Sequence, residues 1–112
     1  MKKISELAAK AFVQGRRFTS GNTKVNSEGL FLHGNKIAWK HPDVKDWIVI
    51  SFCGWPTTTT KDRLNALTQE LGIKHTVFHT KNYVLHAEGL PINPSDEYYF
   101  NTKDNKKRFM DI

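Results

Sequence analysis

A single cysteine in 112 residues excludes an internal disulfide, so no covalent cross-link within the chain supports the fold. Four prolines and seven glycines are too few for a low-complexity or collagen-like chain, and no apolar run approaches the length that crosses a bilayer. Long blocks of like charge are missing as well. The opening Met1-Lys2-Lys3 leads to Glu6 rather than to an apolar stretch, which argues against a secretory signal. There is no Gly-Lys-Thr phosphate loop, no Gly-x-Ser-x-Gly elbow and no Cys-x-x-Cys pair. These absences predict a cytoplasmic chain held by ordinary packing, with no cofactor, no metal and no membrane contact.

What is present fits one folded domain: 38% hydrophobic and 25% charged residues. Lys and Arg number 17 against 11 Asp and Glu, a net charge of +6, so the surface field favours phosphate and acidic partners.

Ile4, Leu7, Ala8, Ala11 and Phe12 recur at helical spacing and Gly15 follows, which predicts a helix over roughly the third to fourteenth residues. The polar stretch Thr19 to Thr23, flanked by Arg16, Arg17 and Lys24, reads as a loop or an irregular edge strand. "LFLHGNKIAW" reads as a hairpin about Gly34-Asn35, a type II′ turn that would oppose Leu32 to Ile37, Leu30 to Trp39, Phe31 to Ala38 and His33 to Lys36. "WIVISFC" is apolar on both faces, as an interior strand is. A second helix runs from the threonines to Leu71, with Gly72 as its stop, and a second hairpin follows about Lys81-Asn82. The outcome is an α+β fold: a single small domain over residues 1–100 in the order α-β-β-β-β-α-β-β, with a mostly antiparallel sheet and two helices packed on one face. Residues 101–112 form a basic tail, ordered only in part.

Two places carry candidate binding chemistry. In "TTTTKDRLNAL", Thr59 with Asp62 three residues on resembles a capping box, and Thr57 and Thr58 would complete a turn. Lys61 and Arg63 then stand in the first turn, where the helix dipole disfavours cations, unless an anion such as a backbone phosphate sits there. Both roles, cap and anion site, stay open. Trp55, just ahead, would line whatever this terminus binds. The second place is the first hairpin, where Phe31 lies among His33, Lys36 and Lys40, an arrangement by which open sheets stack bases and neutralise phosphates. Phe31 packed under a helix, with solvated lysines, explains the same pattern.

Enzyme chemistry finds little support. His75 and His79 stand four apart, which on a strand separates them by roughly 13 Å. His79 and His86 would be diagonal neighbours, short of a metal site, although a histidine acid–base pair with Lys81 near a phosphate is the one nuclease arrangement the residues allow. Cys53 in an apolar strand is expected to be inert. Trp39 and Trp47 read as packing residues.

"NTKV" leading to "LFLHGNKIAW", followed by "GWPTTTTKDRLNAL", resembles a group of small proteins encoded by tailed bacteriophages, over roughly residues 17 to 90. The resemblance implies a phage protein made in the cytoplasm of the infected bacterial host, with host takeover or interference with host defence as its setting. It brings no established activity and therefore no residue roles.

The function expected is that of a non-enzymatic accessory protein that binds DNA or RNA. Its contacts would come from Thr57, Thr58, Thr59, Thr60, Lys61 and Arg63, with Arg16, Arg17, Phe31, Lys36, Lys40, Trp55 and the Lys103 to Arg108 cluster as auxiliaries. The alternative is a small inhibitor or adaptor that docks on a host or defence protein through the same basic surface.

Overall fold

The computed structural model describes residues 3–73, 77–81, 84–87, 90–102 and 110–111. Helix α1 spans Lys3–Gln14 and α2 spans Thr58–Glu70. The strands are β1 (Phe18–Ser20), β2 (Thr23–Asn26), β3 (Gly29–Leu32), β4 (Asn35–Lys40), β5 (Trp47–Ser51), β6 (Phe78–Lys81), β7 (Val84–Ala87), β8 (Leu90–Pro91), β9 (Glu97–Asn101) and β10 (Met110–Asp111). They form a seven-stranded sheet in the order β1-β2-β3-β4-β5-β9-β10 and a three-stranded sheet β6-β7-β8, with antiparallel pairing throughout. This is the expected α+β class, with more strands than the sequence pattern separates.

Both helices end in the same way. Gly72 N–H donates to Gln69 and Ile73 N–H to Thr68 at the end of α2, and Gly15 and Arg16 repeat the pattern on Phe12 and Ala11 at the end of α1. Ile73 is buried, so the α2 stop is also a packing contact. The expected apolar stripe of α1 is rotated. Ser5, Ala8, Ala9, Ala11 and Phe12 face inward, while Ile4 is 37% and Leu7 41% exposed. Small side chains at the inner face let α1 approach α2, and Ser5 is needed there for bonds described below.

One face of the large sheet carries Val25, Leu30, Leu32, Ile48, Ile50, Tyr98 and Phe100, which join Leu64 and Leu67 of α2 in one core. The three-stranded sheet closes the same side: Phe78 meets the rings of Phe52 and Phe100 edge-on, at 5.1 and 6.5 Å between centroids. Asn65 of α2 pins it there, donating to Phe78 O at 3.0 Å and accepting from Phe78 N at 2.7 Å. β5 is the interior strand that its two apolar faces require, paired with β4 on one side and β9 on the other. The boundary expected after residue 100 falls inside β9, and Met110–Asp111 return to pair with it.

The first hairpin differs from its predicted register by one residue. Leu32 pairs with Asn35, so His33-Gly34 is the turn, with φ of 52° and 80°. Positive φ at both central positions makes a type I′ turn, which matches strand twist, and histidine enters the left-handed region more readily than most residues. Phe31 pairs with Lys36 but Leu30 with Ala38, which leaves Ile37 as a bulge. The bulge lets Ile37 and Ala38, adjacent in sequence, both be buried.

Candidate nucleic-acid interface

Three elements meet at the start of α2. Thr57, not Thr59, is the N-cap: its Oγ1 accepts from Thr60 N at 3.2 Å and lies 2.9 Å from Thr60 Oγ1. Thr60 is buried, Thr58 exposed and Thr59 half-buried. A cap two residues earlier moves Lys61 from the second helical position to the fourth and Arg63 from the fourth to the sixth. The dipole is felt mainly in the first turn, so the charge clash that called for an anion is largely gone.

The two cations also part company. Lys61 Nζ donates to Thr80 Oγ1 of β6 at 2.9 Å. Arg63 turns inward and is buried: its Nε donates to Thr23 Oγ1 of β2 at 2.9 Å and its NH1 to Ser5 Oγ of α1 at 2.5 Å. Ser5 Oγ in turn donates to Asp62 Oδ2, which lies 3.7 Å from Arg63 NH1. Burial lowers the Arg63 pKa from its usual value, and the Asp62 carboxylate opposes that shift. Arg63 thus ties α1, α2 and β2 together and aims nothing at the helix terminus. Four threonines are explained without a ligand: one caps, one is buried against it, and two complete the turn.

Of the remaining predicted residues, Trp55 is 65% exposed and borders a groove with Leu32, Ile37, Phe52, Thr57 and Thr59. Arg16 and Arg17 are exposed between α1 and β1, with Arg16 Nε donating to Gln14 Oε1 at 2.6 Å. Lys40 lies on the helix side, its Nζ 5.8 Å from the centre of the Phe12 ring, apart from Phe31. His33 occupies the turn tip. The Lys103 to Arg108 cluster lies outside the described residues, as does His75.

The other face of the large sheet gathers what the sequence scattered. No described helix or second sheet covers it, since both helices and β6–β8 pack on the opposite side. Across β2, β3 and β4 runs the row Lys24, Phe31, Lys36, and across β4, β5 and β9 the row Trp39, Val49, Tyr99. The bulge at Ile37 joins the rows, because it places Lys36 and Trp39 on the same face, with Lys36 Nζ 5.0 Å from the Trp39 ring centre. Phe31, Trp39 and Tyr99 are half-buried, whereas Val49 between the last two is buried. Trp47 and His41 flank Tyr99, at 6.4 and 5.4 Å between ring centres. Of this surface, the sequence reading singles out only Phe31 and Lys36 as contacts; the one-residue register difference sends Trp39 to the core, and Tyr99 lies in β9, a strand the sequence pattern does not separate.

His79 and His86 are directly opposed rather than diagonal, stacked at 5.4 Å and 15°. His86 Nδ1 donates to Val84 O at 2.8 Å. Rings stacked this closely leave no room for a phosphoryl group between them. Among the described residues no group of three or more His, Cys, Asp or Glu is placed to hold a metal ion. Cys53 is not in the strand but in the turn after it, at φ 53°, with Sγ donating to Lys36 O at 3.2 Å. No helix among the described residues is long and apolar enough to cross a membrane.

Comparison with curated proteins and with solved structures finds no match. A family model described as Kyanoviridae Gp96 protein matches residues 1–109, and the chain therefore belongs to that bacteriophage protein family.

Proposed function

We propose that this is a non-enzymatic phage accessory protein that binds single-stranded DNA or RNA on the open face of its large sheet, in the cytoplasm of the infected host. The observation that supports it is the double row Lys24-Phe31-Lys36 and Trp39-Val49-Tyr99. Every base has a flat π face, so three partly exposed rings on a pleated surface offer stacking sites that tolerate any sequence, each worth about 1–3 kcal/mol. Lys24 and Lys36 flank Phe31 and supply phosphate contacts. Lys36 must leave the Trp39 ring when a base stacks there, which costs about 0.5–1 kcal/mol at an exposed site. Stacking outweighs that cost. Phe31 and Lys36 keep the role expected from sequence; Lys61 becomes peripheral and Arg63 drops out.

A salt titration with a labelled oligonucleotide tests the proposal. Affinity falls as salt rises, with a log–log slope of roughly −0.7 for each phosphate neutralised on a single strand. Trp39→Ala weakens binding about 5- to 100-fold with little change in slope, and Lys24→Ala makes the slope shallower by a little under one unit. No binding of either nucleic acid at low salt, or equal losses from Trp39→Ala and from a substitution at Arg17, refutes it.

A second reading, an adaptor that docks on a host or defence protein, draws on one observation: Trp55 is exposed beside apolar Leu32, Ile37 and Phe52, and tryptophan is enriched among the residues that carry most of the binding energy of protein interfaces. A partner captured from nuclease-treated host lysate, and lost with Trp55→Ala, favours this reading over the first.

A further inference from the structure

Register sets how far apart the three rings of the open face stand. Leu30 pairs with Ala38, which sets Trp39 beside Gly29, two residues from Phe31; Phe31 and Trp39 are therefore diagonal neighbours, about 7–8 Å apart. Trp39 and Tyr99 both pair with Val49, from opposite sides of β5, so two strand spacings or about 10 Å separate them. Nothing bridges these gaps. Val49 is buried between its two neighbours, and among the described residues the rings of Phe31, Trp39 and Tyr99 make no contact with one another.

Phe31 also stands in a hollow of its own. A cavity of about 440 Å³ opens over it, walled by Thr19, Asn22, Lys24, Asn26 and His33. It lies at the end of the sheet where the Gly21-Asn22 and His33-Gly34 turns stand side by side, joined by His33 N donating to Asn22 O at 2.9 Å. Phe31 is the one apolar side chain in its lining. One flat apolar floor with a polar rim suits a single base, its face on Phe31 and its edge at the rim. The Thr19 hydroxyl, the Asn22 amide and the His33 ring each can donate or accept, so the rim does not choose between bases by their hydrogen-bonding edges.

The spacing of the rings does choose. Successive nucleotides of a stacked strand are about 3.4 Å apart, and the rings stand two to three times as far from one another, so bases seated on successive rings are pulled out of contact with each other. Every base has a face to offer, but strands differ in what that separation costs. Adenines stack strongly along a single strand and thymines or uracils only weakly, while a duplex must break its base-pair steps as well. From this we infer that the open face selects weakly self-stacking, pyrimidine-rich single strands, holding splayed bases on Phe31, Trp39 and Tyr99. The inference rests on the reading of this face as a single-strand site and adds the kind of strand it takes.

Fluorescence anisotropy titrations of the full chain with labelled oligothymidylate, oligodeoxyuridylate, oligoadenylate and the adenine–thymine duplex, each of about 12 nucleotides per strand, test it at one salt concentration. The single strands carry equal charge, so their phosphate contacts are matched. Oligothymidylate binds about 10-fold more tightly than oligoadenylate, and at least about 10-fold more tightly than the duplex, the factor for opening one base-pair step. Oligodeoxyuridylate stays within about 3-fold of oligothymidylate, which sets unstacking apart from a contact to the thymine methyl group. Warming narrows the gap between oligothymidylate and oligoadenylate, because free oligoadenylate then unstacks by itself. Trp39→Ala removes the middle ring and brings their ratio down to about 3-fold, whereas Lys24→Ala weakens both alike and leaves the ratio as it is. Equal affinity for oligoadenylate and oligothymidylate, oligodeoxyuridylate bound as weakly as oligoadenylate, a preference that warming does not change, or a ratio that survives Trp39→Ala overturns this inference alone. A duplex bound as tightly as oligothymidylate, or no binding of any strand, overturns the single-strand reading with it.

Discussion

Replacing Arg63 by alanine separates a structural arginine from a ligand-binding one. The substitution removes two hydrogen bonds from a charged donor, to Thr23 and Ser5, and the ion pair with Asp62. Hydrogen bonds of this kind contribute about 1.5–3 kcal/mol each, and truncating one partner of a buried charge pair costs about 3–5 kcal/mol. Two features pull the value to the low end. Asp62 is 22% exposed and keeps its bond from Ser5, and removing the guanidinium relieves the cost of burying it. The expected loss is about 3 kcal/mol, a large part of the roughly 5–15 kcal/mol that stabilises a domain of this kind. In urea, at a slope of about 2 kcal/mol/M, the midpoint falls by about 1.5 M with the slope unchanged. Lys61→Ala, which loses one bond to exposed Thr80, stays within about 0.5–1 kcal/mol of the parent. If Arg63→Ala unfolds within 1 kcal/mol of the parent, or the two variants cost the same, the network does not hold the helices and Arg63 is free to face a ligand after all.

Three further outcomes follow from the same geometry. Thr57→Ala removes the cap of α2 and costs about 1 kcal/mol by thermal unfolding, whereas Thr58→Ala, outside the cap, stays near zero; the reverse order would put the cap back inside the threonine run. Gly29→Ala is among the most damaging single changes, because a Cβ there would lie 2.4 Å from Ala38 O and the residue sits at φ 153°; a loss under about 1 kcal/mol would mean the bulge does not bring β4 that close. Asn26→Ala, which frees the Glu28 and Gly29 amides that Asn26 Oδ1 accepts at 2.8 and 3.3 Å, lowers the urea midpoint by the equivalent of about 0.5–1.5 kcal/mol, and no loss would show that β2 and β3 close their turn without it.

Elements with strong local signals were legible in the sequence. The α1 stop at Gly15, the α2 stop at Gly72 and the interior position of β5 each follow from a local pattern that tertiary packing does not overrule. Register was not legible, because it depended on the choice between two adjacent turns, Gly34-Asn35 and His33-Gly34, and on a bulge that has no composition signal. That single residue decided the functional reading: it moved Trp39 from core to open face and Lys40 from beside Phe31 to beside Phe12. The rotation of α1 was hidden for a different reason. Ser5 counts as polar in any hydrophobic pattern, yet it is fully buried because it serves Asp62 and Arg63, 57 and 58 residues away.

The two cations that follow the threonines illustrate why sequence adjacency misleads about charge. Arginine's planar fork keeps its charge when buried and can satisfy several acceptors at once, so Arg63 is drawn between three elements, while the flexible lysine two residues earlier stays near the surface and reaches one hydroxyl. Arg63 is offset by Asp62, so withdrawing the pair from the surface leaves the net charge at +6. The field that would draw a polyanion therefore does not need Arg63, and the lysines of the open sheet, Lys24 and Lys36, are among the exposed cations that remain to contact one. It follows that stability and nucleic-acid affinity should respond to different substitutions: Arg63 and Ser5 variants shift the unfolding midpoint at constant salt dependence, and Lys24 and Lys36 variants shift the salt dependence at constant midpoint. Substitutions that moved both together would show that one surface carries both tasks, and the assignment of the open face would fail with it.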